Sequence, residues 1–199
     1  AVLAGIDGRA GLILCGLYGE DPSLLSSLVE LSADRPGVVG IDLAGGPSSG
    51  HSWSLADYRQ PFEEAAAIGL GRTVHASEGR PPHEIRTAVE VLGAQRIGHG
   101  TTLMDDPEVL ALVLERGVTI EACLTSNVHT GAIDSIAAHP LPRWLEAGVS
   151  VCVCPDNTLL SKVSASEELD RVRRELSLSS EQRQRLVDNG HRAAFDRRS

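Results

Sequence analysis

Aromatic residues make up only 3% of this chain, so its core must be filled by Leu, Val, Ile and Ala. Long apolar runs are missing too. Nothing approaches the roughly 20 consecutive apolar residues of a membrane-spanning helix, and no cationic-then-apolar signal segment opens the chain. A membrane role is therefore not expected. Positive charge is scarce: 18 Lys and Arg stand against 27 Asp and Glu, a formal net charge of −9. That balance argues against a phosphate-binding surface, and so against a nucleic-acid partner, while leaving a small neutral or cationic ligand open. None of the four cysteines forms a Cys-x-x-Cys pair. Cys15, Cys123, Cys152 and Cys154 all sit in apolar, strand-like runs, which predicts reduced core residues of a cytoplasmic protein. Cys152 and Cys154 alternate onto one strand face, but no second pair completes a zinc site.

With 199 residues, 42% hydrophobic and 23% charged, the chain is of a size and composition for one globular domain, predicted over 1–199. Short apolar runs alternate with helical patterns. Strands are predicted over 11–17, 37–43, 72–75, 96–99, 118–123 and 149–154. Helices are predicted over 21–33, 55–68, 83–92 and 106–115, before Gly148, and over 166–175 and 179–194, the last as a surface helix. A Gly/Pro/Ser loop spans 44–54 and a polar loop 124–134. Strands alternating with helices at this spacing form a parallel sheet buried on both faces. Polar residues recur at the strand ends: Asp42, His75, His99, Asn127 and Asp156. Chemistry at nearly every strand end favours a (β/α)8 TIM barrel over an open sheet, where it would gather at one switch point. A closed barrel needs eight strands and six are found, so the fold class is an incomplete TIM barrel. About two strands are expected before Ala1, or from a partner chain that covers the apolar edges.

Three segments carry the chemistry. Thr73-Val74-His75-Ala76-Ser77-Glu78-Gly79 ends a strand in a histidine and places a glutamate on the following loop. A neutral His can ligate a metal and a partly desolvated Glu can move a proton. The plain alternative is a satisfied strand-end His and a solvated Glu. Gly98-His99-Gly100 sets a histidine between residues that permit close approach and unusual dihedrals, against the alternative of a turn with an incidental His. Asp156 follows the apolar run Val151–Cys154, so its carboxylate is expected to be hydrogen-bonded or metal-bound, or else to cap a helix. In Thr125-Ser126-Asn127 the Asn and Ser are expected to shape the loop, with His129 exposed rather than ligating. No chemical role is expected for His51, His83, His139 or His191.

Taken in order, Val39-Gly40-Ile41-Asp42-Leu43-Ala44-Gly45, His75 to Glu78, Arg96-Ile97-Gly98-His99-Gly100, Thr125-Ser126-Asn127 and Asp156-Asn157 resemble the adenosine deaminase family of zinc-dependent purine aminohydrolases. The resemblance implies a metallo-dependent hydrolase barrel that deaminates adenosine or a related adenine nucleoside. It implies zinc bound by His75 and Asp156. Glu78 would give a proton to purine N1, and His99 would orient the attacking water and stabilise developing charge. Asp156 would also take a proton from the water. Gly45 would meet purine N3 through its backbone, with Asn157 near N7. The chain departs from the family pattern in lacking the His-x-His pair that supplies two further zinc ligands. Ser77 stands for a usual Gly, Leu124 for Pro, Pro155 for Thr, Asn157 for Asp, and Gly46-Pro47 for an acidic pair. Those departures motivate the alternative of a non-catalytic or partner-dependent subunit of a split aminohydrolase. The His-x-Glu and Pro-Cys-x-x-Cys signature of deaminases acting on nucleic-acid bases is absent.

Overall fold

Six short apolar runs become six strands because each is bounded by glycine or a helix cap and is too short for a buried helix. The computed structural model describes residues 2–46 and 50–196. Pro47, within the expected Gly/Pro/Ser loop, and Ala1 lie outside the described residues. Contacts group the chain into two units: residues 1–75 with 87–95 and 195–199, and residues 76–86 with 96–194.

The first unit contains α1 (Val2–Ile6), β1 (Leu12–Leu17), α2 (Pro22–Ser32), β2 (Val38–Ala44), α3 (Arg59–Ala67) and β3 (Gly71–Ala76) up to His75. Asp21 caps α2, accepting the Ser23 N–H at 2.9 Å, and Pro22 occupies the first turn, where its missing N–H costs nothing. The helix buries Leu25, Val29 and Ser32, one stripe at helical spacing. β1 runs parallel to β2, with Leu14 opposite Ile41, and β2 runs parallel to β3, with Gly40 opposite Gly71. The paired glycines have a packing reason. A Cβ on Gly40 would lie 2.8 Å from the Phe195 ring, and one on Gly71 would overlap that ring outright. Gly71→Ala should therefore destabilise the protein by about 1–3 kcal/mol, the usual range for overpacking. A lower urea midpoint would show it. The penalty should shrink in a Phe195→Ala background, because the two positions share one space.

After β3 comes α4 (His83–Glu90). The second unit holds β4 (Arg96–His99), α5 (Pro107–Arg116), β5 (Thr119–Ala122), α6 (Leu124–His129), α7 (Leu141–Glu146), β6 (Ser150–Val153), α8 (Thr158–Ser161), α9 (Ala165–Glu175) and α10 (Ser180–Ala193). β4, β5 and β6 are parallel, and Ile97, Ile120 and Val151 stand opposite one another in a fully buried row. Asp106 caps α5, and Gly117 ends it in the left-handed region at φ 62°. All six predicted strands are present within a residue or two, as parallel strand–helix repeats.

Four expectations change. The segment from Leu124 is not a loop from its start but the short helix α6. Its inward polar face is satisfied by Glu168 of α9, which accepts the Thr125 N–H and hydroxyl at 2.7 and 2.5 Å. The helix over 55–68 begins as a 3₁₀ turn over 55–58, with Ser54 and Asp57 forming a reciprocal cap. α10 is not merely a surface helix: Leu186 and Asn189 are buried, and Asn189 donates to the Val151 carbonyl at 3.0 Å. Its polar composition hid that narrow stripe. Cys15 is exposed rather than in the core, since β1 carries only half-buried and exposed positions. Cys123 and Cys152 are buried, and the Cys152 and Cys154 sulfurs lie 3.9 Å apart on one face. No helix among the described residues is long and apolar enough to cross a membrane.

Candidate active site

Non-glycine residues rarely adopt positive φ, and in this chain they concentrate at the motifs. Among the described residues there are five: Asp7, Ser77 (57°), His99 (68°), Asp156 (55°) and Lys162. Three of them end or follow β3, β4 and β6. Each such conformation costs on the order of 1 kcal/mol and persists only where its surroundings over-determine it. The supports are visible. Ser77 N–H donates to Glu84 Oε2 at 2.7 Å and its hydroxyl to the Pro81 carbonyl at 2.9 Å. Thr101 Oγ1 donates to the Ser77 carbonyl at 2.9 Å and accepts the Gly79 N–H at 2.8 Å. The loop that presents Glu78 is thus pinned from both sides, and Ser77 holds the turn without being glycine.

Glu78 and His99 meet around one amide. Asn127, fully buried on α6, donates from Nδ2 to Glu78 Oε1 at 3.0 Å, with His99 Nδ1 2.9 Å from the same nitrogen. Thr130 Oγ1 donates to the same Glu78 oxygen at 2.8 Å. One Glu78 oxygen therefore carries two donors, which leaves Oε2 as the oxygen that would hold a proton. His99 is 1% exposed, whereas the Glu78 side chain keeps 18% of its surface open. Behind them His139, buried, places Nε2 3.3 Å from Asn127 Oδ1 and accepts the Leu141 N–H on Nδ1 at 3.1 Å. Burial, and the nearby His99, push the His139 pKa from 6.5 down to about 4.

Asp156 accepts the Ser126 hydroxyl on Oδ2 at 2.6 Å. Its carboxylate is thus hydrogen-bonded, one of the roles expected after an apolar run, although the residue is exposed, with its backbone in the left-handed region. It is not a helix cap. That task falls to Asn157, whose Oδ1 accepts the N–H groups of Leu159 and Leu160, both at 3.1 Å. Capping occupies the Asn157 oxygen and leaves its Nδ2 as a donor. His129 is exposed, as expected.

In the first unit, His75 Nδ1 lies 3.1 Å from Asp42 Oδ1. A carboxylate on Nδ1 sets the tautomer and puts the ring lone pair on Nε2, the arrangement found behind metal-bound histidines. Gly45 has φ 78°, and a Cβ there would meet nothing within 4 Å, so its backbone is approachable. An imidazole nitrogen and a carboxylate oxygen are donors that zinc accepts. Among the described residues, however, no group of three or more His, Cys, Asp or Glu side chains could hold a metal ion. His75 and Asp156 each carry a donor that zinc accepts, and neither belongs to a complete metal-holding group among the described residues.

Sequence reasoning missed His139, Asp42 as the partner of His75, and the buried Glu84 and Glu168. A signal existed for one of them. His139-Pro140 directly precedes Leu141, Trp144 and Leu145, all buried, so a histidine there lies against the core.

The family model described as adenosine deaminase matches residues 4–198. An adenosine deaminase from Enterococcus faecalis is 33% identical over 189 residues, covering 94% of this chain and 55% of that protein. The crystal structure of an adenine deaminase from Arthrobacter aurescens superposes with a TM-score of 0.84 at 28% identity, over 93% of this chain and 56% of the other. An amidohydrolase from Burkhoderia ambifaria, solved with bound Zn, gives a TM-score of 0.83 at 26% identity, over 94% and 52%. The chain thus spans about half the length of the relatives it matches.

Proposed function

The chain belongs to the adenosine deaminase family, and on that premise we propose that the protein carrying it hydrolyses the 6-amino group of an adenine nucleoside. Water adds at purine C6, a proton is placed on N1, and ammonia leaves, giving the 6-oxo purine. Free adenine is the nearest alternative substrate, since one of the similar structures is an adenine deaminase. Zinc is the proposed cofactor, with further ligands and the remaining barrel strands supplied from outside these 199 residues.

The observation that carries this reading is the Glu78 carboxyl. Its Oε1 is held by Asn127 and Thr130, which orients Oε2 as the proton-bearing oxygen of a general acid. Protonating N1 makes C6 a better electrophile, and the bracing of the Glu78 loop supports that role. His99, held by Asn127, orients the attacking water and stabilises the charge that develops at C6. Asp156, with Oδ2 fixed by Ser126, takes a proton from that water and is offered as a zinc ligand. His75, backed by Asp42, is offered as another. When bound, zinc would supply water of near-neutral pKa at the site. Gly45 would meet N3 through its backbone, and the Asn157 amide would donate to N7. An amide cannot carry a carboxylic proton, so base preference is expected to depart from that of a relative with Asp at this position.

A second reading is a non-catalytic or partner-dependent subunit of a split enzyme. It is favoured by the absence of a complete metal-holding group among the described residues. Purification of the full-length protein with any associated chain separates the two. Under the first reading elemental analysis finds about one zinc per active site, and adenosine or adenine releases ammonia. A completed barrel that binds no metal and releases none would leave the second reading. A co-purifying polypeptide that brings the missing ligands would identify the split form.

A further inference from the structure

We propose that His139 is a positioning residue that, acting through Asn127, holds the His99 ring with its proton on Nε2. The Leu141 backbone N–H can only donate, and it points at His139 Nδ1 at 3.1 Å. That nitrogen therefore carries no hydrogen, and the neutral ring keeps its proton on Nε2. Nε2 faces Asn127 Oδ1 at 3.3 Å, so the N–H donates there and fixes which end of the amide is oxygen. The amide nitrogen is then turned to the other side, with one hydrogen for Glu78 Oε1 at 3.0 Å and one for His99 Nδ1 at 2.9 Å. Glu78 Oε1 also lies 3.5 Å from His99 Nδ1, but the closer Asn127 nitrogen points its hydrogen there, so Nδ1 accepts and the ring proton sits on Nε2.

The far end of the chain of bonds agrees with this orientation when Glu78 is ionised, but a Glu78 that carries a proton can meet either end of the amide, so His139 is the group that fixes it. Turning the amide over would set Asn127 Oδ1 against Glu78 Oε1, an oxygen that already receives the Thr130 hydroxyl. His139, Asn127 and His99 are 3%, 0% and 1% exposed, so solvent does not compete for these positions. Trp144 meets the His139 ring edge-on, at 5.2 Å between centroids and 83° between planes, which limits its rotation. Burial, and the nearby His99, hold the His139 pKa down and keep the ring neutral near pH 7, and a charged ring would aim an N–H at the Leu141 N–H.

Functionally the tautomer decides what His99 offers. With hydrogen on Nε2 it donates toward negative charge that develops during water addition. With hydrogen on Nδ1 it would present a lone pair to that charge. The kinetic consequence rests on the deaminase reading above; the tautomer does not.

Full-length protein labelled with 15N-histidine tests the tautomer directly, with the His99 ring signals assigned by comparison with His99→Gln. The expected spectrum shows His99 protonated on Nε2 in the wild type and in His139→Gln, whose amide can still accept from Leu141 and donate to Asn127. His139→Leu should show a mixture of tautomers. Its kcat should fall about 10- to 100-fold, the effect of losing one buried hydrogen bond. KM should change little, and His139→Gln should recover most of the rate. Wild-type His99 protonated on Nδ1, or a His139→Leu protein with the His99 tautomer unchanged, overturns the inference. A wild-type protein that releases no ammonia from any adenine substrate overturns the deaminase reading instead, and the ring spectrum still decides the role of His139.

Discussion

Glu78→Gln should lower deaminase turnover by about 10²- to 10⁴-fold, the usual worth of a general acid, with KM within a few-fold of wild type. Glutamine keeps the shape of the site. Its Oε1 can accept from Asn127 Nδ2 and Thr130 Oγ1 just as the carboxylate does. Its Nε2 takes the place of Oε2 and can hydrogen-bond purine N1, but it cannot hand over a proton. Binding in the ground state is therefore retained while an interaction needed only in the transition state is lost. The urea midpoint should be near that of the wild type, because no buried donor loses its acceptor. Glu78→Ala is the poorer test. It strands the buried Asn127 donor, at about 1–3 kcal/mol, while the exposed Thr130 hydroxyl can turn to water, so lost stability would mix with lost chemistry. Ammonia release followed continuously, beside urea denaturation, checks both statements. Turnover of Glu78→Gln within about threefold of wild type would remove Glu78 from the mechanism and favour the non-catalytic reading.

The parts that were legible in the sequence are those set by local pattern. Short apolar runs bounded by glycines and helix caps marked six strands in the right places, and five of them are buried at half or more of their positions, while β1 carries only half-buried and exposed positions. The glycines flanking His99 flagged an unusual backbone there, and the structure places His99 itself at φ 68°. Ser77 was illegible as a left-handed residue, since its strain is offset by Glu84 and Pro81, partners recognisable only in three dimensions. The same limit hid Glu168. Next to Glu167 and a Ser164 cap it looks like ordinary charge in the first turn of a helix. Its partner Thr125 is 43 positions away. His139 was passed over for a related reason: a histidine near a helix start is usually solvated, and only the fold brings Asn127 to its other nitrogen. Motifs marked which groups could react, while the residues that aim them were set by long-range packing.

His139 also makes the protein measurably acid-sensitive. Its pKa is about 4 in the folded state against an ordinary 6.5, with burial the main cause and the nearby His99 the second. A buried neutral histidine binds fewer protons folded than unfolded, so stability rises with pH across that interval. The contribution is fully present above about pH 6.5, declines as pH falls below that value, and is gone below about pH 4. The span of about 2.5 units corresponds to about 3 kcal/mol, a large share of the 5–15 kcal/mol typical of a domain. Geometry opposes protonation too. Protonation would set a new Nδ1–H against the Leu141 N–H, while Asn127, already shared between Glu78 and His99, has no second acceptor to offer. His139→Gln removes the titration and keeps the donor and acceptor. Urea denaturation of the full-length protein at pH 7 and pH 5 isolates the effect, because the other carboxylates and histidines titrate in both proteins. The wild type should lose about 2 kcal/mol more than His139→Gln over that interval. Equal losses would show that His139 is not held neutral in the folded state, and the tautomer assigned to His99 would lose the charge argument that supports it.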